Sequence, residues 1–499
     1  MTAGSWIAFR VDASSRIGIG HVMRCLALAD ELRSRGARTR FLSRPLPDAL
    51  AAAILSRGHQ LATFPDAARP GLDPEEDAVA AMAALADVPA WDWLVADHYG
   101  IDARWETRAR GAARKILAID DLADRRHEVD ALLDQGLRPA GARHYRDLVP
   151  PSCRLLAGPA FSLLRREFRA PPGPIRDPKR FRVNVCFGGT DPGGMTLRAL
   201  RALEIWNDFR VDVDVIVGSA SPHRQDVADA CGKLPRTTLH VDPANVAELL
   251  GRANLGIGAG GAMSWERCRM GLPSVVVSVA PNQRPNCQAL AAARVAVDLG
   301  DMEGVAPEAL VSLIGDLAWR PGLLERMGRR AAALVDGRGA ERVALLLLPG
   351  PIQFRRARPE DARLAWTWRN HPSTRRFSVD SAPVPWSTHQ RWWAGSVSSG
   401  RRILLVACSG ESDLGVLRYD LDGSTATVSI YLDPGLAGLG LGCVVLREGT
   451  AWIASNAPSV DRIHAVILPE NVASIRSFVA AGFKSLGTGL DWSLALRES

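Results

Sequence analysis

Residues 18–25 read Gly18-Ile19-Gly20-His21-Val22-Met23-Arg24-Cys25, and the fold follows from this octamer and its flanks. Upstream, the apolar run that ends at Val11 predicts a strand. Downstream, Val22, Leu26, Ala29 and Leu32 recur on one helical face, and Gly36 supplies a stop. A strand, a glycine turn and a helix in that order open an α/β unit. His21 then falls at or near a helix N-terminus, where the macrodipole disfavours the imidazolium, so a neutral ring is expected near pH 7. A neutral, partly exposed imidazole beside backbone N–H groups is suited to taking a proton from water next to an anionic substrate. A structural histidine in a tight turn fits the octamer equally well.

The same alternation continues outward. Strands are expected at Trp6–Val11, Trp93–Ala96 and Lys115–Ile119, and two of them run into polar groups, Asp97-His98-Tyr99 and Asp120-Asp121. Functional groups just past strand ends are what an open α/β sheet predicts. Residues 171–180, with Pro171, Pro172, Pro174 and Pro178, look like a hinge. A second α/β series follows, with strands expected at Arg182–Phe187, Val211–Val217, Thr238–Val241, Leu255–Gly258 and Ser274–Val279. A helix through Ala331–Leu348 runs into Pro349-Gly350-Pro351, the clearest linker. Beyond it the pattern becomes mixed α+β. The expected domains are 1–172 and 173–348, a linker at 349–352, and 353–499. No repeat or low-complexity segment interrupts them.

Composition narrows the function. At 499 residues, two or three compact units are expected. The net charge of +7 comes from 61 Lys+Arg against 54 Asp+Glu, with the basic residues scattered and mostly Arg. That balance suits anionic small molecules at least as well as nucleic acid, and the 6% aromatic content offers no basic-aromatic stacking platform. No nucleic-acid partner is expected. The eight cysteines form no C-x-x-C pair and read as core residues of a reducing compartment. No signal peptide is indicated, and no apolar run approaches the ~18 residues of a membrane span. A cytoplasmic protein, monomeric or weakly homo-oligomeric, is expected.

Two glycine turns mark the second series. Phe187-Gly188-Gly189-Thr190-Asp191 and Gly258-Ala259-Gly260-Gly261-Ala262-Met263-Ser264 each follow a strand, and the latter opens a helix with Glu266 in its first turn. Glycines let amides approach a phosphate closely, and Glu266 is placed to accept from ribose hydroxyls. Neither turn is a P-loop or a G-x-G-x-x-G fingerprint. Turn geometry and the helix dipole account for the same residues without a ligand.

These motifs occur in one order: Gly-Ile-Gly-His-x-x-Arg at 18–24, Asp97-His98-Tyr99-Gly100, Asp120-Asp121, Gly188-Gly189-x-Asp191, Gly260-Gly261-x-x-Ser264-Trp265-Glu266-Arg267, and Asn282-Gln283. Over residues 5–345 the set resembles the UDP-sugar hydrolases of pseudaminic acid biosynthesis, GT-B-fold relatives of the MurG glycosyltransferase. The resemblance implies metal-independent cleavage of UDP from 2,4-diacetamido-2,4,6-trideoxy-β-L-altrose, with water attacking the anomeric carbon. It places the catalytic histidine on His21 and gives Tyr99 a part in holding water or sugar. Gly260, Gly261 and Glu266 would bind diphosphate and ribose, and Asn282 and Gln283 would line the sugar cleft. Gly20, Arg24 and Gly189 join them as substrate-binding candidates. His21 would accept the proton of water while loop amides stabilise the charge gained by UDP. No carboxylate pair at a recognisable spacing supports the two-carboxylate glycosidase scheme.

In the last segment, strands are expected at Gln353–Arg356, Ile403–Ala407, Thr427–Leu432 and Arg462–Leu468. After Thr427–Leu432 come Asp433-Pro434, the run Gly435-Leu436-Ala437-Gly438-Leu439-Gly440-Leu441-Gly442, and a helix expected from Cys443 to about Ser455. Alternate glycines before a helix let N–H groups converge on a pyrophosphate. With Pro469-Glu470-Asn471-Val472-Ala473-Ser474 and Ala481-Gly482-Phe483-Lys484, this segment resembles the GNAT acetyltransferases over about 352–492. Acetyl-CoA is the implied cosubstrate. The implied contacts are Ile430 and Leu432 amides at the thioester, with Gly438, Leu439, Gly440, Leu441, Gly442, Asn471 and Ser474 on the rest of the cofactor. Trp368-Arg369-Asn370 and His389 add similarity to the subgroup that acetylates the 4-amino group of the pseudaminic acid precursor. Ala437 stands where Arg or Gln is usual, and Phe478 where many members carry a tyrosine acid. His389 is a candidate base, or an ordinary helix-surface histidine.

Together these readings give a GT-B-like pair of Rossmann-like lobes followed by a GNAT domain. The implied protein is bifunctional: it N-acetylates a UDP-4-amino sugar and hydrolyses the product, supplying pseudaminic acid for flagellin or surface glycans. Two rivals stay open: a GT-B glycosyltransferase, and a nucleotide-sugar sensor fused to a protein or peptide N-acetyltransferase.

Overall fold

The computed structural model describes residues 4–14, 18–64, 73–139, 141–170, 180–206, 208, 210–487 and 490–496. The chain divides into two compact units, Met1–Ala344 and Leu345–Ser499. The hinge expected at 171–180 lies, except for Arg180, outside the described residues.

The first unit holds two parallel sheets. Strands β1 (Trp6–Val11), β2 (Arg38–Ser43), β3 (Gln60–Thr63), β4 (Trp93–Asp97), β5 (Ile116–Ile119), β6 (Ala131–Asp134) and β7 (Arg154–Ala157) lie in the order β3-β2-β1-β4-β5-β6-β7. Strands β8 (Phe181–Cys186), β9 (Val211–Val217), β10 (Thr237–Val241), β11 (Leu255–Ala259), β12 (Ser274–Ser278) and β13 (Ala296–Asp301) lie in the order β10-β9-β8-β11-β12-β13. These are two Rossmann-like lobes. Helices cover both faces of such sheets, and β9 and β12 are accordingly buried along their whole length. Strand order reverses between β1 and β4 and between β8 and β11, and ligands of open α/β sheets bind at such points.

The helix Gly20–Ser34 carries the expected buried positions Val22, Leu26, Ala29 and Leu32, and it buries Ala27, Leu28 and Glu31 as well. The single helix expected through Ala331–Leu348 is two helices, Pro321–Leu334 and Gly339–Leu347. The chain breaks between them because Gly337 sits at φ +79° with its α-carbon packed against the Phe168 carbonyl, where no side chain fits.

The second unit is built on a mixed sheet. Strands β14 (Gln353–Arg356), β15 (Arg402–Ser409), β16 (Ser412–Asp422), β17 (Thr425–Leu432), β18 (Arg462–Val466), β19 (Lys484–Ser485) and β20 (Asp491–Ala495) lie in the order β14-β15-β16-β17-β18-β20-β19. All pairs are antiparallel except β17 with β18. A parallel pair needs a crossover, and the helix Leu441–Asn456 provides it.

A charged knot braces the first lobe. Arg10, fully buried on β1, forks onto Asp12 at 2.6 and 2.8 Å and onto Asp77 at 2.8 and 2.5 Å. Asp77 also accepts from the Trp105 indole at 2.9 Å. Arg10→Met leaves two buried carboxylates without their cation. It should lower stability by about 3–5 kcal/mol, read as a shift of the denaturant midpoint of the first unit.

Candidate active site

At the first switch point, Val11 on β1 stands opposite Asp97, the last residue of β4. The helix that follows β1 presents His21, Arg24 and Cys25, at spacings of three and four residues, to that one carboxylate. His21 Nδ1 lies 2.6 Å from Asp97 Oδ1. Arg24 donates from Nη2 to Oδ1 at 2.6 Å and from Nε to Oδ2 at 2.7 Å, and Cys25 Sγ reaches Oδ2 at 3.4 Å. Burial alone would push the Asp97 carboxyl up, but the Arg24 cation and the bond to His21 hold it well below the usual carboxylate range. An ionised carboxylate only accepts, so Nδ1 carries a proton and donates it to Asp97, which leaves Nε2 as the ring nitrogen outside this bond.

The network continues across the unit. Arg24 Nη1 stands 3.6 Å from Asp121, and the Tyr99 hydroxyl donates to Asp121 at 2.9 Å. From the second lobe, Asn282 Nδ2 donates to that same hydroxyl at 2.9 Å. Burial, then the charge of Asp121, raises the Tyr99 phenol far above its ordinary range. Tyr99 also meets the His21 ring edge-on at 4.9 Å. A cleft of ≈ 380 Å³ is lined by Arg24, Asp121 and Arg138 on one side and by Gly260, Gly261 and Asn282 on the other, with Gln283 adjoining.

Not every expected residue stands on that wall. His21 is 9% exposed rather than partly open, and it touches Arg24 and Tyr99 without being one of the residues that line this cleft. Arg24 lines the cleft, yet its guanidinium is taken up by Asp97 and Asp121. Gly20 is the exposed first residue of its helix. Gly189 packs beneath Ile19, whose Cδ1 would lie 2.6 Å from a Cβ there. Gly260 packs against the Cys287 thiol, too close for any side chain. Glu266 turns to Arg165, 3.4 Å away, and burial raises its carboxyl. Asp97, Asp121 and Arg138 complete the site, and the sequence assigns none of the three a role. Asp97 and Asp121 had a signal as polar groups at or just past strand ends, whereas Arg138, four residues beyond β6, had none.

In the second unit, β17 and β18 pair only through residues 425–427 against 462–464. The Asp433 amide donates to the Leu414 carbonyl at 2.9 Å, which makes Asp433 and Leu414 a hydrogen-bonded pair. By the alternation of an antiparallel ladder, Val428, Ile430 and Leu432 then turn their N–H groups away from β16, toward the edge that β18 has left. Next, Leu439 and Leu441 anchor inward while Gly438 and Gly440 stay exposed at φ +80° and +76°. The helix begins at Leu441, not Cys443, so Leu441 and Gly442 belong to its first turn, whose amides have no intrahelical acceptor.

Asn471 caps the helix Val472–Ala480 by accepting from the Ser474 amide at 3.1 Å. Phe478 is a core residue against Phe483. His389 is no surface residue: it is 4% exposed, packed among Trp386, Trp392 and Trp393, and burial lowers its pKa.

Parts of the chain match known proteins. Residues 352–484 match the family model described as acetyltransferase (GNAT) domain. The chain is 26% identical over 249 residues, 50% of its length and 82% of the other's, to a UDP-2,4-diacetamido-2,4,6-trideoxy-beta-L-altropyranose hydrolase of Campylobacter jejuni. It aligns with the uncharacterized protein MJ1062 of Methanocaldococcus jannaschii at 21% identity over 503 residues, 97% of each chain. The solved structure of Acinetobacter baumannii MurG aligns with a TM-score of 0.49 at 17% identity, covering 69% of this chain and 99% of that one. By class, the chain combines two Rossmann-like lobes with a region that matches an acetyltransferase domain. More particularly, its N-terminal region matches the altropyranose hydrolases and its C-terminal region is a GNAT domain.

The residue between Asp97 and Tyr99 gives a pH test. Burial, then the Arg10 cation, pushes His98 down to about 4 from 6.5, and its Nδ1 accepts the Gly100 N–H at 2.9 Å, which a protonated ring cannot do. Between those pH values the unfolded chain binds a proton that the folded chain refuses. This contribution is therefore complete above 6.5 and lost as pH falls toward 4, by about 3 kcal/mol at most. His98→Asn keeps an acceptor for Gly100 and should flatten the fall in stability between about pH 6.5 and 4.5, measured by urea unfolding.

Proposed function

We propose that the first unit hydrolyses UDP-2,4-diacetamido-2,4,6-trideoxy-β-L-altrose to UDP and the free sugar. The second unit would install the 4-acetamido group on the 4-amino precursor beforehand, using acetyl-CoA. The observation that carries the hydrolase reading is the 2.6 Å bond that fixes His21 Nδ1 on Asp97 beside Tyr99 and Asn282. In the proposed step Nε2 takes a proton from water as the water oxygen bonds to the anomeric carbon. The bond from that carbon to the phosphate oxygen breaks, and its electron pair leaves on UDP. Gly260 and Gly261 line the wall on which that charge would collect. The Gly260 N–H is taken by the Val277 carbonyl at 3.2 Å, so the Gly261 amide would be the donor there, and backbone donors aimed at developing charge lower such barriers. Tyr99, held by Asp121 and Asn282, would fix the sugar side.

For the acetyltransferase, acetyl-CoA supplies an activated acetyl group, and the second unit has a free strand edge and a helix start that suit it. The Ile430 and Leu432 amides would hold the thioester carbonyl. The amides around Gly440 to Gly442 would hold the pyrophosphate. Asn471 and Ser474 would contribute beyond their mutual cap. The two reactions are consecutive, so their fusion keeps the intermediate local; the chain would serve pseudaminic acid synthesis in the cytoplasm.

Incubating the protein with the UDP-4-amino sugar, followed by NMR, should give UDP and the diacetamido sugar only when acetyl-CoA is present. Equal release without it would overturn the ordered pair of reactions. His21→Ala should cut UDP release about 10²–10⁴-fold while UDP still binds, whereas a mere sensor would show no release to lose. Gly440→Val forces a branched residue to φ +76°. That strain, about 1–2 kcal/mol, should weaken coenzyme A binding roughly fivefold or more in calorimetry and leave UDP release unchanged.

A further inference from the structure

We propose that Arg267 is a positioning residue for the diphosphate: a buried cation beneath the Gly260–Gly261 turn whose counter-ion is the bound nucleotide. The inference rests on the reading that this cleft takes a UDP-sugar. Arg267 is 2% exposed. Its Nη2 donates to the Ala259 carbonyl at 2.6 Å and to Ser264 Oγ at 3.1 Å, while Nε and Nη1 have no partner among the described residues. No carboxylate pairs with it there. The neighbouring Glu266 is engaged by Arg165.

The strand makes room for this side chain. A Cβ at Gly258 would lie 2.7 Å from Nη1, and one at Gly256 would lie 2.9 Å from Cδ. The glycines of β11 thus serve the arginine as well as the turn. Burial pulls its pKa down, with the Cys186, Cys268 and Cys287 thiols as near neighbours, but a guanidinium stays charged at neutral pH. A charge taken out of water without a partner is costly, and its field is weakly screened. Here that field lies one residue from Gly260, fixed before any anion arrives. Such preorganised charge favours a leaving diphosphate over a neutral ligand.

The test uses the full-length protein with UDP and uridine as probes, by calorimetry. Arg267→Gln should lower UDP affinity about tenfold or more and leave uridine affinity within about twofold. Arg267→Lys, which keeps the charge, should recover most of the loss. Parallel losses for UDP and uridine, no loss, or a lysine variant as weak as the glutamine variant would each overturn the proposal. A readout on the unaltered protein guards against variants that do not fold. In phosphorus NMR the terminal phosphate of bound UDP should titrate at lower pH than that of free UDP, and an unshifted titration would refute the buried cation's role. If the unaltered protein binds no UDP, the nucleotide reading fails and takes this inference with it. If it binds UDP and Arg267→Gln does too, only this inference fails.

Discussion

Asp97, 1% exposed at the end of β4, accepts from two side chains and a thiol of the one helix that follows β1. Burying an ionised carboxylate is costly unless geometry and hydrogen bonding are good, and here both oxygens are bonded and a guanidinium forks across them. The cost is offset only if helix, strand and glycine turn hold their relative positions within a few tenths of an ångström. The orientation of His21 is therefore set by the same bonds that hold the lobe together. Arg24 then passes the constraint to Asp121, Asp121 to Tyr99, and Tyr99 to Asn282 of the second lobe.

The glycines of the second lobe take on a double meaning in this setting. Gly189 and Gly260 are where backbone meets Ile19 and Cys287 too closely for a side chain. The Gly260 N–H is itself taken by the Val277 carbonyl at 3.2 Å, so Gly260 shapes the turn by close packing and not by offering its own amide. Arg267 adds charge from beneath, held by the Ala259 carbonyl that ends β11.

The second unit uses a different device. Its sheet stays paired on the β16 side of β17, but β18 parts from β17 after Thr427. The outward N–H groups of Val428, Ile430 and Leu432 stand in a row from there, and the exposed Gly438 and Gly440, on either side of Leu439, lead on into a helix start. An unpaired strand edge is normally a liability, and under the proposed function it would be a place for an extended ligand.

Much of this was legible in the residues. Period and turn chemistry placed β1, the helix after His21, β9 and the glycine turns, because each is a local pattern of apolar spacing and backbone freedom. The short strands β2, β3, β6 and β7 escaped notice: they are four to six residues long, and β2, with Arg38 and Arg40, carries charge that only its neighbours neutralise or cover. His389 read as a surface residue because its tryptophan neighbours are packed against it by folding. Sequence by itself determined the alternation of strands and helices, the two glycine turns and the change to a mixed fold after residue 350. Only tertiary structure decided that Asp97 takes His21, that Glu266 takes Arg165 and that Arg267 has no acid among the described residues, since partners 76 and 101 residues away along the chain are chosen by sheet order and burial rather than by local spacing.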